Sequence, residues 1–299
     1  MPPIADDPEP GATPIIGEDA SQSLPRSCLA RVLSMRFLFL TVLLLGLLAP
    51  AAQAQTIWSR PYAPNQVAVD MLVPDTPADA GRLSGATFVT GTVSLSDNIE
   101  VSGELPVARA GGTNGVSSTT ALGNPYLGFG FSSTTFPVLL EVGTRLPVAS
   151  SQRAGRIGRG ADMGRTAAFR RDEFSLSALA NGRLAVGRQT SVRLRAGGTF
   201  ASFPASTSPS DSNETAWRLQ YDAQLWREGE QLITGLSFTG RAVVSSPRRT
   251  RHHLALSLMA NWTRVQPGLV VGTSVNDLVQ DGAFSPFAGL TLSVSYGRF

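Results

Sequence analysis

Ten ionisable side chains sit in short runs where apolar residues recur at every second position, and each occupies the other phase. Successive side chains of a strand point to opposite faces. In 99–107 the apolar set is Ile99, Val101, Leu105 and Val107, which turns Glu100 and Glu104 to the opposite face. In 138–148 it is Val138, Leu140, Val142, Leu146 and Val148, so Glu141 and Arg145 face away from it. The same reading sets apart Arg183 in 174–186, Arg193 and Arg195 in 192–200, Arg218 and Asp222 in 217–225, and Arg241 in 232–244. Lining a lumen, such groups orient polar solutes and set ion selectivity. Glu100, Glu104 and Glu141 fall on early runs and Arg183, Arg193, Arg195 and Arg218 on later ones, so one reading is a transverse field across a narrow lumen. The alternative is a plugged interior filled with ion pairs, for example Glu104 or Glu141 with Arg145.

Two further clusters bear on chemistry. His252 and His253 invite a hydrolase reading, in which a nucleophilic serine lies beside a histidine and an orienting polar group. His253 and Ser257 share a face, but four strand residues separate them by roughly 13 Å, beyond hydrogen-bond reach. No acid is placed to orient either ring, so catalytic residues are not expected. The single cysteine, Cys28, precedes the mature chain, and two histidines alone make a poor metal site, so neither metal nor cofactor is expected. The segment 150–173 carries Arg153, Arg156, Arg159, Arg165, Arg170 and Arg171. It reads as a solvated outer loop, with a grip on lipopolysaccharide phosphates as the functional alternative. Gly155, Gly158 and Gly160 lack the Lys-Ser/Thr and strand–helix context of a phosphate-binding loop.

The elements that must position these residues are strands. Runs at 66–73, 87–95, 99–108, 124–132, 137–149, 174–188, 191–203, 214–226, 231–244, 251–262, 268–275 and 284–298 make twelve. Short connections, such as Ser96-Asp97-Asn98 and Gln189-Thr190, alternate with long ones at 74–86, 109–123, 150–173 and 204–213. An even strand number with alternating short and long connections is the pattern of an outer-membrane barrel. The fold expected is therefore all-β, an antiparallel transmembrane barrel over 66–299. Trp217, Trp262, Phe174 and Phe200 suit the aromatic girdles at its two interfaces.

The composition agrees. A mean hydropathy of +0.04 is too polar for a helical membrane protein and suits a wall in which alternate residues face lipid. All 25 basic residues are arginine, and they are scattered through a chain that reads as secreted, so nucleic acid is not an expected partner. Arg36, the apolar stretch Phe37–Ala49 and the small-x-small end at Ala52-Gln53-Ala54 read as a signal peptide over 35–54, cleaved after Ala54. Residues 1–34 read as a disordered extension or a misassigned start, and 55–65 as a periplasmic tail.

Leu95-Ser96-Asp97-Asn98-Ile99-Glu100-Val101, the Leu105-Pro106 pair and Gly123-Asn124-Pro125-Tyr126-Leu127-Gly128 together resemble the outer-membrane transporters grouped as the "MetA pathway of phenol degradation" type. The ending Tyr296-Gly297-Arg298-Phe299 resembles that family's Tyr-Arg-Phe terminus, with Gly297 as an added residue that puts Tyr296 and not Phe299 in phase with Leu290, Leu292 and Val294. The resemblance spans 87–133 and the last dozen residues. It implies passive passage of small hydrophobic or aromatic solutes across the outer membrane. Outer-membrane lipid, lipopolysaccharide, the small solute, and the barrel-assembly machinery through Phe299 are the expected partners. A closed structural or adhesive barrel with binding loops is the alternative, and a lipid-modifying enzyme a weaker third.

Overall fold

A strand with one apolar and one polar face leaves its backbone groups unpaired at each edge, and in lipid only closure removes the edges. The computed structural model describes residues 65–74, 84–112, 116–132, 138–150, 152–162, 164–203, 214–244, 246–262, 264–276 and 285–296. The strands are β1 (Gln66–Pro74), β2 (Gly85–Ser96), β3 (Ile99–Ala110), β4 (Thr119–Leu122), β5 (Tyr126–Ser132), β6 (Val138–Arg145), β7 (Phe174–Ala185), β8 (Thr190–Phe203), β9 (Glu214–Glu228), β10 (Leu232–Val243), β11 (Ser246–Ala260), β12 (Val265–Ser274) and β13 (Pro286–Ser295). Each pairs antiparallel with its neighbours, and β1 closes the ring by pairing with both β2 and β13. β4 and β5 lie one above the other against the same partner, β3, so the segments occupy twelve positions. The expected twelve-position barrel is the observed fold.

The strand edges differ from expectation in instructive places. β3 runs on to Ala110 and β4 returns beside it, which shortens the outer connection expected at 109–123. β11 begins at Ser246, five residues before the run expected at 251–262, and Val243↔Ser246 pairing extends its hairpin with β10. β6 stops at Arg145, so Pro147 lies outside the ladder. The predicted leader, the residue 1–34 extension, most of the tail, the turn at 133–136 and Phe299 lie outside the described residues.

The pleat separates two solvents. Met71, Leu105, Leu140, Leu176, Leu219, Leu256, Leu269 and Leu290 are exposed on the outer face. Thr90, Ser102, Ser177, Gln220, Ser257 and Ser293 are buried on the inner one. Asn65 and Tyr296, the first and last described residues, meet at one rim. There Asn65, with φ of 58°, accepts from Ser94 N through Oδ1 and from Tyr296 N through its carbonyl, tying β1 to both neighbours. Trp262 and Tyr296 are exposed at this chain-end rim, and Phe200 and Trp217 pack at 5.2 Å near the opposite, loop-bearing rim.

One expectation fails outright. The arginine-rich segment 150–173 is not a solvated outer loop. It folds into the barrel as helix α1 (Gln152–Ala161) and a 3-10 turn at Thr166–Phe169.

Candidate functional site: a plugged lumen with an off-centre cavity

Helix α1 reads QRAGRIGRGA, and its glycines each cost about 1 kcal/mol relative to alanine in a helix. Intrinsic preference cannot hold it, so packing must. Ala154, Ile157 and Ala161 recur on one face and are buried against the inside of β1–β4, while the arginines fall on the others. Small residues let the helix approach the wall. Ala154, Ala161, Ala168 and Phe169 of the plug join Leu72, Ala86, Phe88, Ala108 and Ala121 of the wall in one apolar cluster. The Phe169 ring meets Phe88 edge-on at 5.6 Å. A side chain at Gly158 or Gly123 would collide with that ring, so glycine there makes the seat for Phe169.

Asn124 is the clasp. It is fully buried at the break between β4 and β5, and its amide is saturated. Nδ2 donates to Ala167 O at 2.9 Å and Arg170 O at 2.7 Å, while Oδ1 accepts from Val148 N and Ala149 N, both at 2.8 Å. Its backbone carbonyl also accepts from Arg145 Nη1 at 3.0 Å. One side chain thus ties both ends of the plug to the wall.

The ten sequence-predicted residues all face the interior. Glu100, Glu104, Glu141, Arg145, Arg193, Arg195, Arg218 and Asp222 are buried, and Arg183 and Arg241 are partly so. The structure brings most of them into ion pairs. Arg145 Nη2 lies 2.7 Å from Glu104 Oε1, above the Tyr126 ring. Arg195 Nη2 donates to Glu141 Oε2 at 3.0 Å, and Tyr126 donates its hydroxyl to Oε1 of the same carboxylate. Arg183 and Arg193 share Glu228, each at 2.8 Å. Arg218 grips Glu173 with both guanidinium nitrogens. Arg241 donates to Thr166 Oγ1 of the plug. Asp222 lies near Thr239, Gln220 and Arg195. Glu104 and Glu141 of the acidic arc are therefore neutralised locally.

The residue that completes this arrangement lies on the plug. Arg165 is buried with Nη2 2.9 Å from Asp70 Oδ2, Nη1 3.5 Å from Glu104 Oε2 and Nε 2.8 Å from Asp162 Oδ2. Its guanidinium also stacks over Phe88, 4.2 Å from the ring centroid. Asp70, Glu173 and Glu228 carry no expectation from sequence, and Asn124 enters there only within the Gly123-to-Gly128 resemblance. Asp70 shows the same alternation as Glu104, since Val67, Val69, Met71 and Val73 take the outward phase.

Of the six loop arginines, four turn to internal duty. Arg153 donates to Ser117 O and Gly111 O, Arg159 to Phe169 O, Arg165 to the acids above, and Arg170 faces Glu173 at 3.6 Å. Arg156 and Arg171 remain exposed, the latter paired with Asp172 at 2.9 Å.

Because the plug leans on β1–β4, space is left along β9–β13. A cavity there is lined by Asp222, Ser237, Thr239, His253, Ser257, Phe287 and Thr291 of the wall and by Asp162 and Arg165 of the plug. Towards the loop rim it shares His253 and Phe287 with a second opening, lined also by Pro74, Arg159, Arg251 and Ser274. Towards the chain-end rim it meets Met259, which packs with Trp226 and Ile233 in a separate apolar cluster. Trp226 is fully buried, bonded to Gln224 Oε1 at 2.9 Å and covered by Arg193 at 5.3 Å.

The two histidines part company. His253 points inward and stacks on Phe287 at 5.8 Å. His252 points outward, where Nε2 lies 2.7 Å from the Tyr221 hydroxyl and Nδ1 3.2 Å from Asn276 Oδ1, with Phe238 stacked on the ring. Gly240, between them in register, leaves room for Tyr221 to reach across.

The sequence matches no known family profile and no curated protein. Solved structures share the fold. The NanC porin aligns over 77% of this chain and 100% of its own, with a TM-score of 0.50 and 8% identity. An outer-membrane channel from Pseudomonas putida F1 covers 82% of this chain and 100% of its own, with a TM-score of 0.48 and 13% identity. LpxR from Salmonella typhimurium covers 77% and 100%, with a TM-score of 0.47 and 12% identity. This likeness is one of architecture, an antiparallel barrel of the outer-membrane type.

Proposed function

We propose that the protein is a passive channel of the outer membrane for small hydrophobic or aromatic solutes, and that it belongs with the MetA-type transporters it resembles. The observation that carries this reading is the off-centre cavity between plug and β9–β13, open towards the loop rim and floored by Met259 at the other end. A barrel made only for rigidity gains nothing from leaving one side of its lumen unfilled. The mixed lining, with Leu72, Val270 and Phe287 among hydroxyls, suits a solute with a flat apolar body and few polar atoms. The leader cleaved after Ala54 and the outer-membrane address belong to the same proposal.

The test is planar-bilayer conductance of the protein extracted from outer membranes with its leader processed. Steady steps support the channel, while a folded, heat-modifiable barrel that stays silent favours the structural alternative, to which the ion-paired plug lends weight. The floor makes a finer prediction. An apolar constriction resists passage of ions by dewetting, so Trp226→Ala is expected to raise the conductance step about twofold or more. Trp226→Phe keeps the constriction and is expected to leave the step unchanged. Equal steps in all three proteins would place the barrier elsewhere.

A further inference from the structure

Asp70, Glu104 and Glu141 each face an arginine, and on the loop side of the plug several arginines gather around Glu173. Arg170 has Arg218, Glu173, Arg159 and Arg251 as its electrostatic neighbours, and Arg241 has Arg218, Glu173, Arg170 and Arg145. Glu173, the acidic neighbour common to both, is already held by Arg218 and Arg170. Burial and then the charge of Arg218 hold the Arg170 guanidinium below its usual pKa, and burial and then Arg156 do the same for Arg159. Among the described residues, Arg159, Arg218 and Arg251 therefore gather around Arg170 on the loop side, with Glu173 between them. An anion entering there relieves repulsion that the fold itself leaves in place.

The opening also has a shape. Arg159 reaches into it from the plug and Arg251 from β11, so two guanidiniums approach from different elements. Arg159 Nη1 donates to Phe169 O at 3.0 Å, which fixes the side chain at the opening. Below them the His253 and Phe287 rings stack at 25° between planes, and Pro74 offers a further flat apolar surface. Guanidinium forks match carboxylates geometrically, and stacked rings match a planar apolar body.

We propose that this opening is a binding site for small aromatic monocarboxylates, with the carboxylate between Arg159 and Arg251 and the ring against Phe287. The site rests on the channel reading only for the claim that the bound solute goes on to pass through. His253 and Phe287 border both the opening and the deeper cavity, so a ligand seated there is already at the entrance of the path. Charge brings the solute in, and the ring contact selects among anions.

Binding and passage are measured separately. Saturable binding of benzoate to the detergent-solubilised protein is read by titration calorimetry. Acetate supplies the charge without the ring, benzyl alcohol the ring without the charge, and benzylamine the opposite charge. Benzoate is expected to bind best. Arg251→Gln is expected to weaken it roughly tenfold, and Arg251→Lys by less, since lysine keeps the charge but loses the fork. Arg251 is exposed at the strand's outer part, so heat-modifiability on a gel should confirm that both variants still fold. Benzyl alcohol or benzylamine binding as well as benzoate, or affinity unchanged in Arg251→Gln, overturns the site. Bilayer reversal potentials in benzoate gradients then judge passage. Saturable benzoate binding to a silent barrel removes the channel and leaves the site. An open pore without benzoate binding removes the site and leaves the channel.

Discussion

Arg165→Met is expected to unseat the inner half of the plug and raise conductance severalfold. Arg165 is 2% exposed and faces Asp70, Glu104 and Asp162. Glu104 keeps Arg145 at 2.7 Å and Asp70 keeps the Thr291 hydroxyl at 2.8 Å, but Asp70 loses the guanidinium that faced it at 2.9 Å. Removing one partner of a buried ion pair costs about 3–5 kcal/mol, more than the loss of the arginine's packing alone. Against this stand the Asn124 hydrogen bonds, worth about 1 kcal/mol each, and the burial of Phe169, worth about 1.5–3 kcal/mol. Those hold 148–149 and 167–170, not the turn that carries Arg165. The segment around 162–166 should therefore leave the cavity wall while the clasped part stays. Single-channel recording reads the change. Adding Asp70→Asn removes the carboxylate charge that faced Arg165, and the double variant should recover much of the parental closure. A variant with parental conductance and an unchanged urea midpoint would show that charge does not seat the plug.

The wall was legible in the sequence and the plug was not, for one physical reason. Lipid on one side and polar groups on the other impose a period of two on every strand, so Glu104, Glu141, Arg193 and Asp222 announce their inward phase through their immediate neighbours. The plug has no such local signal. Gly155, Gly158 and Gly160 argue against a helix, and the apolar stripe Ala154, Ile157, Ala161 is too small to stand out from a loop. Its partners are distant in sequence: Arg165 meets Asp70 across 95 positions, and Asn124 reaches 43 to 46 positions ahead. The motif Gly123-Asn124-Pro125 was visible as a resemblance, but its use as seat and clasp depends on contacts that only the closed barrel creates. Trp226 was hidden differently. Leu225 outward implies Trp226 inward, yet a tryptophan near a barrel rim reads first as part of a girdle.

Leu290→Arg is expected to block insertion, and it tests the outward phase where the wall is most uniform. Leu290 sits at the middle of β13, level with Met71 of β1 and Leu269 of β12, and all three are more than half exposed. Its cross-strand neighbours on the outer face, Met71 and Leu269, and Leu258 beyond Leu269, are apolar, so a guanidinium placed there at mid-depth costs about 2–4 kcal/mol. Snorkelling helps less than at a rim, because the charge must travel half the apolar belt to reach water. The neighbouring residue points the other way: Thr291 donates its hydroxyl to Asp70 at 2.8 Å inside the barrel. Leu290→Phe keeps an apolar side chain on the same face and should assemble as the parent does. The readout is the heat-modifiable fraction in outer membranes, together with the urea midpoint of the protein in bilayers. An arginine variant that assembles in parental yield with an unshifted midpoint would mean that this face does not meet lipid, and the phase assigned to every strand would have to be reversed.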